Sequence, residues 1–337
     1  MPELRWNPIL CEWVVMATER RRRPHDFKKS DEGSAPRPER IENCPFCVGN
    51  ESMTPPEVAA YRQPDSAPDT PGWWVRTVPN KFPALAPEGS FQPRTVGIYQ
   101  QADGIGTHEV IIETPLHNQT PATMPLEQWS EAVRMYQSRL RTLAADPRYA
   151  CLLLFRNEGR TAGASLEHPH AQLVALPFVP PVWERQLDGA HRYRAEHGRN
   201  LFEAILEYEH REGVRLVRAT SEFTAFVPYF ARAPFEVWIM PNTQQAHFQQ
   251  ARDAERDAFA QVLQEVLQRI DTVLGTPPYN FMLFTAPVHA TAETEFWLHL
   301  RIVPRLTIDT GFEIGSGAGI NITAPEDSAR YLCGETS

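Results

Sequence analysis

The order of apolar and polar positions along the chain predicts alternating strands and helices. Two segments, 124–146 and 253–275, repeat apolar residues at helical spacing and are rich in helix-forming residues. Around them lie short segments dense in β-branched and aromatic residues, which favour strands. Strands are predicted at 108–115, 149–157, 171–177, 279–287 and 296–304, with two more inside 221–241. The chain is therefore expected to be a mixed α and β protein.

The remaining segments are expected to form loops, one further helix and a few short strands. Region 19–72 is rich in Pro, Arg, Asp and Glu and is predicted to be mostly loop, and a short strand follows it. The 31 prolines of the chain favour many turns over a long helical bundle. Region 183–218 is predicted to hold a helix and a short strand.

The second half of this pattern repeats the first, which indicates an internal duplication. Pro304 minus Pro177 and Glu236 minus Glu109 both give an offset of 127. The second copy keeps the strand of the motif "HPHAQLVALP" but lacks its histidine pair, which predicts one working site per chain; divergence without selection would leave the same pattern. With this offset, Glu295 corresponds to His168 and Trp297 to His170. His299 then corresponds to Gln172.

Length, charge and cysteine content limit the class of protein. A chain of 337 residues suits two domains or one large duplicated domain. A net charge of −9 argues against nucleic-acid binding, and the basic run at 19–29 is either a solvated loop or a phosphate contact. The chain has no apolar run that could span a bilayer and no signal-peptide pattern, and its five cysteines are scattered. A cytoplasmic protein without disulfides is expected.

The motif "CPFC" places Cys44 and Cys47 at the spacing with which two thiolates hold one tetrahedral Zn²⁺ from a tight turn. A redox pair is the alternative, but such a pair usually opens a helix, whereas a proline-rich loop follows this motif. The chain has no second C-x-x-C, so the remaining zinc ligands are expected to be histidines. His117 and His168 are the candidates, because both lie at predicted strand ends.

The stretch "SLEHPHAQ" carries the candidate chemistry. Alternation along a strand places His168, His170 and Gln172 on one face, so His168 can be held by metal while His170 faces a cleft. A neutral imidazole can attack phosphorus, and the Gln172 amide can donate to phosphoryl oxygens. The upstream glycine loop adds Asn157 and Ser165. The alternative is a structural zinc clip in which His170 has no catalytic role.

Five segments together carry a resemblance to a known family: "CPFC", "NKFPAL", "HEVIIETPLH", "FRNEGRTAGASLEHPHAQ" and "GFEIGSG". They resemble galactose-1-phosphate uridylyltransferases, of the histidine-triad superfamily, and the similarity extends from about residue 5 to residue 330. It implies an α+β fold made of a duplicated histidine-triad module, with an antiparallel sheet and helices on one side in each half. The expected halves are 1–180, with zinc and nucleophile, and 181–337, without the nucleophile.

The resemblance also implies an activity. His170 would be the nucleophile of a ping-pong uridylyl transfer from UDP-glucose to galactose 1-phosphate, and Gln172 would hydrogen-bond the transferred group. A phosphorylase or adenylyltransferase on the same scaffold, or an inactive nucleotide-binding protein, are the alternatives. The implied substrate-binding residues are Arg20, Arg23, Asn80, Phe82, Asn157, Ser165 and Phe312. The implied ligands of a structural zinc are Cys44, Cys47, His117 and His168. A homodimer with its active sites at the subunit contact is also implied.

Some members of the family hold a second metal with a glutamate and three histidines. Glu184 and His299 could stand for two of these ligands, but Phe284 and Arg301 occupy what look like two of the histidine positions. A charged guanidinium cannot ligate a metal. We therefore expect no second metal.

Overall fold

The computed structural model describes residues 2–20, 24–27, 37–291 and 294–335, in which strands and helices alternate. The strands are β1 (Glu3–Asn7), β2 (Glu12–Met16), β3 (Ala59–Arg62), β4 (Trp73–Pro79), β5 (Arg94–Val96), β6 (Tyr99–Gln101), β7 (Thr107–Ile112), β8 (Cys151–Glu158), β9 (His170–Leu176), β10 (Leu216–Ala219), β11 (Phe223–Phe226), β12 (Val237–Pro241), β13 (Tyr279–Phe284), β14 (His299–Pro304) and β15 (Ile320–Asn321). The helices are α1 (Pro24–Phe27), α2 (Leu126–Ala144), α3 (Pro181–His197), α4 (Leu201–Glu212), α5 (Asp253–Leu274), α6 (Gly311–Ser316) and α7 (Pro325–Leu332).

Ten of these strands form one antiparallel sheet, in the order β10-β11-β12-β14-β13-β8-β9-β7-β4-β3. Five strands come from each half of the chain, and the halves meet where β8 pairs with β13, with Phe155 opposite Met282. From edge to centre, the strands follow the order β3-β4-β7-β9-β8 in the first half and β10-β11-β12-β14-β13 in the second. In both halves the fifth strand in chain order therefore lies between the third and the fourth. The predicted α+β fold with a duplicated module is confirmed. The boundary between residues 180 and 181 stays a prediction, because the sheet is continuous across the two halves.

The residue-by-residue match between the halves differs from the sequence prediction. His170 and His299 each donate from Nδ1 to the carbonyl oxygen two residues earlier, at 2.8 Å in both cases. His299 is therefore the counterpart of His170, and the local offset is 129 (299 minus 170), so the predicted match of His299 with Gln172 is wrong. The same offset sets Arg301 at the position of Gln172.

The two glutamates that suggested a constant offset lie on opposite faces of the sheet. Glu109 faces α2, where Arg139 donates to it at 2.6 Å. Glu236 instead accepts from Nε1 of Trp238, whose ring stacks on His299 on the other face. A change of one residue in the offset moves every side chain of a strand to the other face. The glutamates are consequently not equivalent, although the duplication itself is real.

Helices α2 and α5 cover one face of the sheet and bury its largest apolar cluster. Trp129 of α2 is fully buried there, and its indole donates to the Ala260 carbonyl of α5 at 3.0 Å. Both helices begin and end within two residues of the predicted segments. Within the described residues, no helix combines the length and the apolar character that a membrane span requires.

Two helices occupy the region in which the sequence predicted one, before the expected short strand β10. Gly198 ends α3 in the left-handed conformation, with φ of 72°. Asn200 then caps α4, because its side-chain oxygen accepts from the backbone N–H groups of Phe202 and Glu203. A cap residue placed directly after a left-handed glycine turns the chain, so one continuous helix is excluded.

Helices α3 and α4 and the β1–β2 hairpin cover the other face of the sheet over its second half. Ile9 and Val14 of the hairpin region pack against Phe202, Phe226 and Trp238. Strand β2 also pairs in parallel with β15. Over the first half, the loop of residues 41–55 covers this face, where Phe46 and Cys47 pack on Val78 and Val110, and the candidate site opens beside this loop.

We expect Asp271→Asn to stabilise the protein at alkaline pH. Burial, followed by the charge of Glu158, raises the pKa of Asp271 to about 7, and the residue lies in the last turn of α5, where a negative charge opposes the helix dipole. The folded state therefore holds a proton that the unfolded state has lost, and stability falls as pH rises from about 4 to about 7.

The asparagine side chain does not titrate, so the free energy of unfolding of this variant should exceed that of the wild type by roughly 1–2 kcal/mol above pH 7.5. Near pH 4 the two proteins should be equally stable. Urea unfolding at both pH values measures the difference. Asp188→Asn, at an exposed aspartate of α3, is the control. An equal effect at both pH values would contradict the assignment.

Candidate functional site

The loop that carries "CPFC" folds into a tight turn that aims two thiols at one point. The Cys47 N–H donates to the Cys44 carbonyl at 3.2 Å, and the Ile41 N–H donates to the Cys47 sulfur at 3.3 Å. Gly49 closes the turn with φ of +90°, a conformation that other residues rarely adopt. Both cysteines are buried.

Cys44, Cys47, His117 and His168 come together, and one potential ligand atom from each lies within 4.8 Å of the others. His168 donates from Nε2 to the Thr114 carbonyl at 2.8 Å, which leaves its Nδ1 facing the Cys47 sulfur at 3.5 Å. Two thiols and two imidazoles are the donor set of a tetrahedral structural zinc site. Burial raises the pKa of Cys44 to about 11, and a bound divalent cation would favour its thiolate. The cluster is compatible with zinc.

His170 begins β9 directly after this cluster and is held in one orientation. Its Nδ1 donates to the His168 carbonyl at 2.8 Å, and its ring meets Phe46 edge-on at 5.2 Å between centroids. The side chain is 6% exposed, and burial, with smaller effects from neighbouring groups, lowers its pKa to about 4. The ring is therefore neutral at pH 7. With the proton on Nδ1, the lone pair of Nε2 is free to act as a nucleophile.

A buried charged group supports the backbone of His170 from the helix side of the sheet. Arg156, which is 1% exposed, donates to the His170 carbonyl at 3.1 Å and to Glu158 at 2.7 Å. It also pairs with Glu113, to which Tyr136 of α2 donates a hydrogen bond. Because a buried charge that loses its partner is strongly destabilising, these contacts hold the start of β9 in place.

A cavity of about 430 Å³ opens over His170 and Gln172. Asn80, Phe82 and Ser165 also line it, so the structure brings five of the predicted catalytic and substrate-binding residues to one place. Phe82 is 84% exposed at the rim. The other walls are largely apolar and come from Phe46, Met53, Pro55, Val78, Val110 and Leu166, among others. A space of this size suits a base, a ribose or a sugar, with phosphates near the two polar side chains of β9.

Two predicted substrate-binding residues within the described part of the chain, Asn157 and Phe312, are not among those that line this cavity. Asn157 is held by Asn280, whose amide donates to its oxygen at 2.7 Å. Phe312, which is 50% exposed on α6, lines a different cavity in the second half together with Arg301. The side chain of Arg20 and all of Arg23 lie outside the described residues, as do residues 21, 22, 28 and 29 of the basic run.

Two residues at the cavity were missed in the sequence. Lys81, inside the quoted motif "NKFPAL", lines the cavity and adds a positive charge near the expected phosphates. His108 of β7 donates from Nε2 to the side-chain oxygen of Gln172 at 2.8 Å. Strand alternation places His108 on the same face as Val110, which pairs with Gln172. That alternation was the available signal for His108.

The second half has a packed aromatic group at the position of the first-half site. Arg301 lies between the rings of Trp238 and Phe284, at 4.3 Å and 4.5 Å from their centroids. His299 stacks on both rings and is fully buried. Glu184 is exposed on α3. A guanidinium beside His299 disfavours a bound cation there, in line with the expectation of no second metal. That expectation stays a prediction.

Comparisons with known proteins cover the whole chain. The family model "Galactose-1-phosphate uridyl transferase, N-terminal domain" matches residues 1–180, and the corresponding C-terminal domain model matches residues 186–313. An ADP-glucose phosphorylase of Arabidopsis thaliana is 35% identical, over 98% of this chain and 92% of that protein. A galactose-1-phosphate uridylyltransferase of Thermotoga maritima is 30% identical, over 98% of both. The crystal structure of an Arabidopsis ADP-glucose phosphorylase with bound ADP-glucose gives a TM-score of 0.81 at 30% identity, over 100% of each chain.

Proposed function

Because the chain belongs to the galactose-1-phosphate uridylyltransferase family, we propose that it transfers a nucleotidyl group from a nucleotide sugar through a covalent adduct on His170. One observation carries this proposal. The Nδ1–H of His170 is committed to the His168 carbonyl, so Nε2 remains for phosphorus at a cavity that Gln172 also lines. An imidazole is nucleophilic at neutral pH without a general base.

In the first step, Nε2 of His170 attacks the α-phosphorus of the nucleotide sugar. An Nε2–P bond forms, the bond from that phosphorus to the bridging oxygen breaks, and the sugar 1-phosphate leaves with the electron pair. In the second step, an oxygen of the acceptor attacks the same phosphorus and the Nε2–P bond breaks. The Gln172 amide donates to the non-bridging oxygens, Ser165 adds its hydroxyl, and the His168 carbonyl stabilises the positive ring of the adduct.

The preferred donor is ADP-glucose and the preferred acceptor is inorganic phosphate, which gives glucose 1-phosphate and ADP. Two similarities support this choice: the 35% identity to an ADP-glucose phosphorylase, and the TM-score of 0.81 to a structure that contains ADP-glucose. The second candidate is transfer of a uridylyl group from UDP-glucose to galactose 1-phosphate. The two family models and the 30% identity to the Thermotoga enzyme support it.

The Cys44–Cys47–His117–His168 cluster is proposed to hold one structural zinc ion. Zinc would anchor His168, and the carbonyl of that residue fixes the proton of His170 on Nδ1. The metal takes no part in the reaction itself. Zinc-binding thiolates persist in a reducing compartment, and the five cysteines, all within the described residues, are free, which supports a cytoplasmic location.

A homodimer is proposed as the working form. Phe312 and its neighbours Ile308 and Ile314 are exposed, the isoleucines at 81% and 76%. Apolar side chains concentrated on one short segment are typical of a contact surface. A subunit contact through this segment could bring Phe312 to the cavity of the partner subunit, as the family resemblance implies, although it lies outside the His170 cavity of its own chain.

The test is the formation of an adduct without an acceptor. The purified protein is mixed with ADP-glucose or UDP-glucose, and the release of glucose 1-phosphate is followed. For a ping-pong enzyme we expect a burst of about one equivalent of glucose 1-phosphate per chain. When the nucleotidyl group of the donor is labelled, the label should stay on the protein. Adding phosphate or galactose 1-phosphate should then restore turnover, and the faster pair identifies the reaction. No burst with either donor would exclude the proposed function.

A further inference from the structure

His108 makes a set of contacts that centre on the side chain of Gln172. Its Nε2 lies 2.8 Å from the Gln172 oxygen Oε1, and the Ala84 N–H lies 3.4 Å from its Nδ1. The amide nitrogen of Asn80 lies 3.2 Å from the same Nε2. His108 and Gln172 come from the neighbouring strands β7 and β9, so the sheet fixes the separation of their backbones.

These contacts assign the proton of His108. A carbonyl oxygen only accepts, so the shortest contact places the hydrogen on Nε2. The lone pair of Nδ1 then receives the Ala84 N–H. In this tautomer Nε2 carries the hydrogen and cannot accept from the amide nitrogen of Asn80, so their contact is not a hydrogen bond. The Asn80 amide is oriented instead by its oxygen, which accepts from the Phe82 N–H at 2.9 Å.

We propose that His108 is a positioning residue, which sets the orientation of the Gln172 amide so that its NH₂ group faces the transferring phosphoryl group. A terminal amide has two orientations related by a rotation of about 180°, and only one presents donors. Holding Oε1 on His108 selects the donor orientation before substrate arrives. The opposite orientation would place a carbonyl oxygen against negatively charged phosphoryl oxygens. This inference depends on the proposed function, because it assigns the task of Gln172.

Three properties separate His108 from a residue with a purely structural role. It lies on the face of the sheet that carries the cavity rather than the face that packs on α2. It donates to a side chain that lines the cavity, rather than to the backbone. No described residue other than His108 has a side-chain hydrogen bond to Gln172. Preorganised donors act in the transition state at no reorganisation cost, so losing the orientation should slow chemistry more than binding.

The experiment is a double-mutant cycle on the rate of adduct formation. His108→Phe keeps an aromatic ring but has no donor, His108→Gln keeps a donor, and Gln172→Ala removes the partner. With ADP-glucose in single turnover, His108→Phe should lower the rate about 10- to 100-fold, with the donor dissociation constant changed less than about 3-fold. His108→Gln should recover most of the rate. In the Gln172→Ala background, His108→Phe should change the rate less than about 2-fold.

Equal effects of His108→Phe with and without Gln172 would overturn the inference, as would an unchanged rate in His108→Phe. Circular dichroism and zinc content should match the wild type in all variants. His191→Phe, at an exposed histidine of α3, is the matched control and should form the adduct at the wild-type rate. Absence of an adduct in the wild type itself, with either nucleotide sugar, would remove the proposed function and this inference together. A normal wild-type burst with a normal His108→Phe rate would remove the inference alone.

Discussion

Replacement of His170 by glycine should abolish covalent labelling by nucleotide sugar and lower turnover by at least about 10³-fold, because the phosphorus then has no nucleophile to bond. The fold should survive, since Arg156 contacts the backbone of residue 170 rather than its ring. The measurement is label retained per chain after mixing with ADP-glucose and UDP-glucose, beside steady-state turnover. Unfolding curves taken in parallel would show that the loss is chemical.

Two variants make this result specific. His289→Gly removes an exposed loop histidine and should label as the wild type does. Gln172→Ala removes a donor but keeps the nucleophile, so it should slow labelling about 10²- to 10³-fold without eliminating it. Labelling of His170→Gly at the wild-type level would show that another residue is the nucleophile.

Cys44→Ser should lose most of the zinc and lower the melting temperature by roughly 10 °C or more, because a structural zinc contributes its binding energy to folding. The four potential ligands join the loop of residues 41–55 to the ends of β7 and β9, so releasing the loop should also loosen the wall of the cavity. Metal analysis and thermal unfolding measure the two effects. A chelator should shift the wild type toward the variant.

Cys333→Ser is the control for this prediction, because Cys333 is an exposed thiol remote from the cluster in sequence. It should keep one zinc per chain and the wild-type melting temperature. A wild-type protein that contains no zinc after purification in metal-containing buffer would contradict the ligand assignment.

The sequence predicted the fold well where periodicity was long and strong. The segments that became α2 and α5 carry apolar residues over five or six turns, and the strands between them are short apolar runs of the expected type. Region 183–218 was predicted less well, because the chain turns at Gly198 and Asn200 and forms two helices where one was expected. The match between halves was wrong by two residues in β14, because one offset of 127 does not hold along the whole chain and the histidine contacts give an offset of 129 there.

The site was predictable to the extent that its residues are close in sequence or belong to a motif. Strand alternation places His168, His170 and Gln172 on one face, and the structure agrees. Contacts between distant segments could not be predicted: alternation could place His108 on the face of the cavity, but not its contact with Gln172 across 64 positions, nor the support of His170 by Arg156. Their roles depend on register, which one sequence does not encode visibly. The catalytic and binding roles of the site residues stay predictions for the experiments above.

The placement of the β1–β2 hairpin has a consequence for synthesis on the ribosome. Val15 pairs with Ile320, and Arg5 forms an ion pair with Glu326, 321 positions further along the chain. The hairpin therefore reaches these final neighbours only after segments more than 300 positions further along the chain have been synthesised. Ile9 and Val14 also remain uncovered until Phe202, Phe226 and Trp238, which pack on them, have been synthesised. Nascent chains of this protein should accordingly be good clients for chaperones that bind exposed apolar segments near the amino terminus.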